Sequence, residues 1–190
     1  MPKPPASLIL ASASPQRRAI LERLGVAFKV RPADVEELEE GDPEEVAVEN
    51  ALRKARAVVE ADSPPALVLG VDTVVALAGR VYGKPTDERH ARETLRALSG
   101  STHTVLSGVA LIEDGQERTA LAATEVVFRP LDNELIDWYV ALGEWRERAG
   151  GYGIQGAGAA LVREVRGDYE NVVGLPLATL LDLCPELLKT

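Results

Sequence analysis

The chain has 190 residues, with 30 Asp and Glu against 21 Lys and Arg, two His, one Cys and 46% hydrophobic residues. That length suits a single domain, residues 1–190, whose core needs no disulfide or metal staple, and Cys184 alone forms no internal disulfide. A net charge of −9 excludes broad binding to nucleic acid and disfavours an anionic membrane surface, since both select a positive face. A small anionic ligand remains open wherever a few basic residues converge.

Leu8-Ile9-Leu10-Ala11 reads as a short buried strand. It is too brief for a signal-peptide core, and no apolar run approaches the roughly 18 residues of a membrane span. A cytoplasmic protein is expected. Ser14-Pro15 opens a helix, with Ser in the cap and Pro at the first helical position. Ile20, Leu21 and Leu24 form its apolar face and Gly25 ends it. Phe28 to Arg31 reads as a second strand, followed by an acidic loop from Asp34 to Asp42. Asp42-Pro43-Glu44-Glu45 has capping-box spacing and starts a helix to about Ala61, broken by Ser63-Pro64-Pro65.

Leu67-Val68-Leu69-Gly70-Val71-Asp72 predicts a buried strand ending in a carboxylate. Val74 to Ala78 and Val81-Tyr82, joined at Gly79-Arg80, predict a hairpin. Thr86-Asp87 caps a helix ending near Ser99-Gly100. Strands over about 103–112 and 119–128 meet at Asp114-Gly115. Asp132 caps a helix to Gly143. Glycines 150, 151, 153, 156 and 158 make the next stretch a loop. A strand near 159–165, a turn at Gly167-Asp168 and a helix after Pro176 complete the order. Interspersed helices and strands imply an α/β fold with a mixed sheet.

Chemistry-bearing residues cluster at four places. In Ser12-Ala13-Ser14-Pro15-Gln16-Arg17-Arg18, two arginines in the first helical turn oppose the helix dipole, a cost that a bound anion reverses. The segment is either a phosphate cradle or a capped surface helix with solvated arginines. Asp72-Thr73 ends an apolar strand, where α/β proteins place ligands. Its carboxylate is suited to a divalent cation or to a proton from water, or else it caps a turn. Glu36 and Glu37, in the acidic loop, are solvated charges or partners of Asp72 on a metal. Lys54 and Lys84 suit a polyphosphate or the surface. Gly150-Gly151-Tyr152-Gly153-Ile154-Gln155-Gly156 allows close backbone approach, and Gln155 both donates and accepts toward a base edge; the alternative is a loop glycine-rich for turning alone. His103 reads as structural more readily than catalytic, and Cys184 as core.

The segments LILASASPQRR, ENALRKA, LGVDTVV, GKP, LSGSTHTVLSGVAL, WRERAGGYGIQGAGA and GDYENVVGLPL follow one another from residue 8 to 177. In this order they resemble the Maf family of nucleotide pyrophosphatases, also called septum formation proteins. The resemblance implies a fold shared with the inosine-triphosphate pyrophosphatases, an elongated mixed sheet with flanking helices and two lobes around a cleft. It implies hydrolysis of a nucleoside triphosphate to the monophosphate and pyrophosphate with a divalent cation, Mg²⁺ or Mn²⁺. By the same resemblance Asp72 is the general base and metal ligand. Ser12, Arg17, Lys54 and Lys84 bind phosphate, and Glu36 or Glu37 is a further acidic residue at the metal. Gln16, Thr73 and Gln155 fall on specificity positions. Thr73 and Gln155 match the dTTP/UTP branch, whereas Gln16 stands where that branch usually has Arg. Family members are often homodimers, which makes a homodimer a candidate assembly. Two other readings are a non-catalytic nucleotide-binding regulator of cell division and a phosphatase releasing orthophosphate.

Overall fold

The computed structural model describes residues 8–60 and 67–188. The predicted helix end at Ala61 and the Ser63-Pro64-Pro65 breaker lie outside them. The elements run β1 (Leu8–Leu10), α1 (Pro15–Arg23), β2 (Phe28–Val30), α2 (Pro43–Glu60), β3 (Leu67–Leu77), β4 (Arg80–Tyr82), α3 (Glu88–Leu98), β5 (Thr102–Glu113), β6 (Gln116–Phe128), α4 (Asn133–Ala141), β7 (Val162–Arg166), α5 (Tyr169–Val173) and α6 (Leu177–Leu183). Among the described residues no helix is long and apolar enough to cross a membrane.

The strands form one mixed sheet in the order β2-β1-β3-β5-β6-β7, with β4 also on β3. β1 runs parallel to β2 and β3, and the other pairs are antiparallel. The alternation of side chains along a strand divides the core in two. Leu67, Leu69, Val71 and Val75 of β3 face the cluster built with Ile20 and Leu21 of α1, Leu95 and Leu98 of α3, and Ile136 and Tyr139 of α4. Val68 faces the opposite way, against Ala51, Ala55 and Val58 of α2. Helices thus cover both faces.

Two glycines set how close α2 lies. A Cβ on Gly70 would stand 2.1 Å from the Ala51 carbonyl oxygen, and one on Gly108 would stand 2.1 Å from that of Ala47. Bare backbone in β3 and β5 therefore lets the helix backbone rest on the sheet. Side chains one turn further along the same helical face, Asn50 and Lys54, reach the next inward position of β3, which is Asp72.

The expected hairpin forms, with β3 and β4 paired from Val75↔Tyr82 to Leu77↔Arg80, but β3 is one strand where two were expected. It runs unbroken through Asp72, paired with β5 from Val68↔Ile112 to Ala76↔Thr104. The carboxylate does not end the strand, because polar side chains of α2 meet it inside the sheet. A ligand can still reach it, because β1 covers β3 only as far as Leu69 and β4 resumes at Val75. Asp72 and Thr73 lie in the gap, beside the carboxyl end of β1, the position where open α/β sheets bind ligands.

Three further differences are local. The stretch read as a turn at Gly167-Asp168 continues into α5, whose cap is the Asp168 carboxylate accepting from Glu170 N at 2.9 Å. β7 begins at Val162 rather than near 159, because Ala157–Leu161 forms a 3-10 turn. Ala149–Gly151 forms another.

Candidate active site

The N-terminus of α1 forms as its residues direct. The Ser14 hydroxyl accepts from Arg17 N at 3.4 Å, Pro15 occupies the first turn, and that turn holds no acidic residue. Arg17 does not extend into water. Its guanidinium turns back into the protein and is only 8% exposed. Nε donates to Gly174 O at 2.8 Å, Nη1 to Ser12 Oγ at 2.9 Å and Nη2 to Thr73 Oγ1 at 3.0 Å. Each nitrogen is anchored once, which leaves one N–H on each terminal nitrogen of the five donors a guanidinium carries. Burial lowers the Arg17 pKa, and the charges of Asp72 and Glu37 work against that loss.

The pleat separates two adjacent residues. Thr73 faces the Arg17 side, its hydroxyl 2.9 Å from that of the buried Ser107. Asp72 faces α2, where Lys54 Nζ donates to Oδ1 at 2.5 Å and Asn50 Nδ2 to Oδ2 at 3.2 Å. Lys54 Nζ also meets Glu37 Oε1 at 2.8 Å. Of the two acidic candidates, Glu37 therefore joins the cluster. Glu36 contributes its backbone carbonyl to Arg53 at 3.2 Å.

These groups line one long cleft of about 1360 Å³. Lys84, Gln16 and Gln155 line it too. Arg17 and Lys54 both act on the buried Asp72, and Lys84 lines the same cleft without joining that cluster. Lys84 projects from the opposite wall, where its Nζ lies 3.1 Å from Glu147 Oε2 and both side chains are largely exposed.

The glycine-rich loop is built from below. Tyr139 Oη accepts from Gly153 N at 3.0 Å, and the Glu144 carboxylate accepts from Ala157 N at 3.0 Å and Gly158 N at 3.3 Å. Gly150 and Gly151 have φ of 67° and 68°, a region that side chains disfavour. A Cβ would press on Val75 at the first and on Pro85 at the second. These two glycines answer to turning and close packing within the protein. Gln155 stands exposed at the cleft rim.

His103 is structural. It is 1% exposed, its Nε2 lies 2.9 Å from Tyr152 Oη, and it stacks edge-on with Phe128 and Tyr152. Burial pushes its pKa down to about 4. Cys184 is buried, and burial raises its thiol to about 11. Three members of the site escaped sequence reading: Asn50, Ser107 and the Gly174 carbonyl. A buried amide in a helix interior, where Asn is a poor helix former, was a signal for Asn50. No local signal marks a carbonyl.

Among the described residues there is no group of three or more His, Cys, Asp or Glu side chains suited to hold a metal by themselves. Asp72 and Glu37, drawn to one ammonium, nevertheless fit Mg²⁺ or a similar hard ion. Such ions take one or two carboxylates and complete their shell with water and substrate phosphate.

A family model described as Maf-like protein matches residues 7–187. The chain is 50% identical to a dTTP/UTP pyrophosphatase of Anaeromyxobacter dehalogenans, over 90% of this chain and 89% of that one. It is 49% identical to the dTTP/UTP pyrophosphatase of Symbiobacterium thermophilum, over 90% and 88%. It is 50% identical to that of Thermococcus gammatolerans, over 90% and 91%. The family match over residues 7–187 and these similarities show that the chain belongs to the Maf-like protein family.

Proposed function

We propose that the protein hydrolyses dTTP and UTP to the nucleoside monophosphate and pyrophosphate. The observation that carries the reading is a buried carboxylate, Asp72, held beside two buried cations, Lys54 and Arg17, at the open stretch of β3. The relatives' activity on dTTP and UTP supports the choice of substrate.

In this reading water attacks the α-phosphorus in line with the bond to the β-phosphate oxygen. A P–O bond to water forms, the α–β anhydride bond breaks, and its electron pair leaves with pyrophosphate. Asp72 accepts the proton of the attacking water. Lys54 and Asn50 already hold its two oxygens, so it need not reorganise as charge develops. Arg17, with its two remaining N–H groups, and Lys54 neutralise the charge moving onto the leaving group. Ser12 and Thr73 keep the guanidinium aimed, and Lys84 meets the distal phosphates from the far wall. Gln155 and Gln16, on the cleft surface, read the base, and Thr73 shapes selectivity through its place beside Arg17. Asp72 and Glu37 would hold a divalent cation, which supplies positive charge to the phosphate oxygens when bound. The reading places the enzyme in the cytoplasm, as a single domain; sedimentation would report whether it is a homodimer.

The test is product analysis. Incubation with dTTP, UTP, CTP and 7-methyl-GTP, each with Mg²⁺, Mn²⁺ or chelator, is expected to release pyrophosphate from dTTP and UTP in the presence of metal. Orthophosphate as the primary product would reject the reaction, and preference for 7-methyl-GTP would reject the substrate. Binding of dTTP without turnover would favour a regulator.

A further inference from the structure

We propose that Asn50 is a positioning residue that fastens the acidic segment carrying Glu37 to Asp72 through one carboxamide. The proposal rests on the reading of Asp72 as the reacting carboxylate. Asn50 lies inside α2 and is 1% exposed. Its Oδ1 accepts from Leu38 N at 2.7 Å, and its Nδ2 donates to Leu38 O at 3.0 Å and to Asp72 Oδ2 at 3.2 Å. The amide thus satisfies both backbone groups of Leu38, as a neighbouring strand would, in a segment that forms no strand.

Charge explains why such a fastening is needed. Residues 34–42 carry Asp34, Glu36, Glu37, Glu39, Glu40 and Asp42, a run that repels itself and Asp72. The attraction of Lys54 for Glu37 draws one side chain inward but does not set the backbone. A neutral amide does, because it donates and accepts at once. Asp at position 50 could not donate to the Asp72 carboxylate, and an apolar residue could offer neither bond. An added cation would also offset negative charge, but it could not accept the Leu38 N–H. Asn50 does this without adding a charge to the site.

Asn50→Ala removes all three bonds. Asn50→Asp keeps the shape and the acceptor, but removes both donations and adds a like charge beside Asp72. In protein that is still folded by circular dichroism, Asn50→Ala should lower kcat for dTTP about 10-fold or more with KM changed less than about threefold, since the geometry of attack is lost while the phosphate-binding cations stay. Asn50→Asp should lose more. The Leu38 amide should be protected from hydrogen exchange in the native protein and exchange faster in Asn50→Ala. A folded variant with native kcat overturns the proposal. So does a loss of kcat that only follows the folded fraction and returns on cooling. If neither variant folds, the native protein decides: a Leu38 amide exchanging at the unprotected rate overturns the proposal, and a protected one supports it. If the native protein does not release pyrophosphate from dTTP, the functional reading fails by itself, and Leu38 exchange in the folded variant still reports whether Asn50 fastens the segment.

Discussion

The two walls of the cleft are built on different principles. On the near wall, Ser12, Arg17, Lys54 and Asp72 are each no more than 8% exposed and bonded to fixed partners. On the far wall, Lys84 and Glu147 are exposed side chains joined by one surface ion pair, and Gln155 projects from a loop held underneath by Tyr139, Glu144 and the Tyr152–His103 contact. Buried charges interact strongly and do not reorganise when the reaction demands it, whereas exposed ones are screened by water. In the proposed reaction, bond breaking is therefore assigned to the near wall. The same proposal assigns the far wall to the base and the distal phosphates.

The sharpest way to break this division is Asp72→Asn. The near wall should keep its shape, while pyrophosphate release from dTTP falls by about 10³-fold, roughly 4 kcal/mol of activation free energy. Native turnover in that variant would remove Asp72 from the chemistry. Gly70→Ala tests how the near wall is assembled. The added Cβ meets the Ala51 carbonyl at 2.1 Å, so α2 must lift, at a cost of about 3 kcal/mol in urea denaturation. Turnover should fall with it, because Asn50 and Lys54 move away from Asp72.

His103 tests the underside of the far wall. Burial holds its pKa in the folded protein at about 4, below the ordinary imidazole value of 6.5. The unfolded chain therefore binds the proton first as pH drops. The contribution is fully present above pH 6.5 and is lost as pH falls toward 4. Across that window the folded state should lose about 3 kcal/mol. His103→Gln should flatten this part of the stability profile. An unchanged slope in the variant would assign acid sensitivity elsewhere.

The smallest effect is expected at Lys84. Because exposed ion pairs contribute about 0–1 kcal/mol, Lys84→Ala should leave the melting temperature unchanged. It should raise KM for dTTP about fivefold, roughly 1 kcal/mol, and the difference should shrink as salt rises. Glu147→Gln should lower KM by freeing the ammonium. A large fall in kcat from Lys84→Ala would erase the contrast between the walls.

Much of the fold was legible because it is encoded locally. Ser14 before Pro15, and Asp42, Asp87 and Asp132 before their helices, announce helix starts through single side chains. The alternating and apolar runs announce β5 and β6. The first miss concerned Asp72, which looks like a strand end because nothing nearby in sequence can satisfy a carboxylate inside a sheet. Its partners, Asn50 and Lys54, lie about twenty residues away on α2, with |i−j| of 22 and 18. The second miss, α5, was a helix too short to show periodicity. The alternative left open between Glu36 and Glu37 was narrowed by the Lys54 ammonium, which pairs with Glu37. That Lys84 stands apart from the Arg17–Lys54 cluster within the shared cleft was not legible, because similar charges within motifs say nothing about which wall they occupy.

By itself the sequence determined the mixed α/β class, most helix caps, and an acidic chain whose few informative cations sit inside motifs. Tertiary structure decided which of the 21 basic residues serve the cleft's buried centre. Arg18, Arg53, Arg56, Arg89, Arg92 and Arg166 pair with carboxylates at the surface. Arg17 and Lys54 do not remain there, because Gly70 and Gly108 admit α2, Gly174 offers a carbonyl, and β1 stops short of covering β3. A charge acquires its strength from burial and fixed partners, and those come from segments distant in the chain.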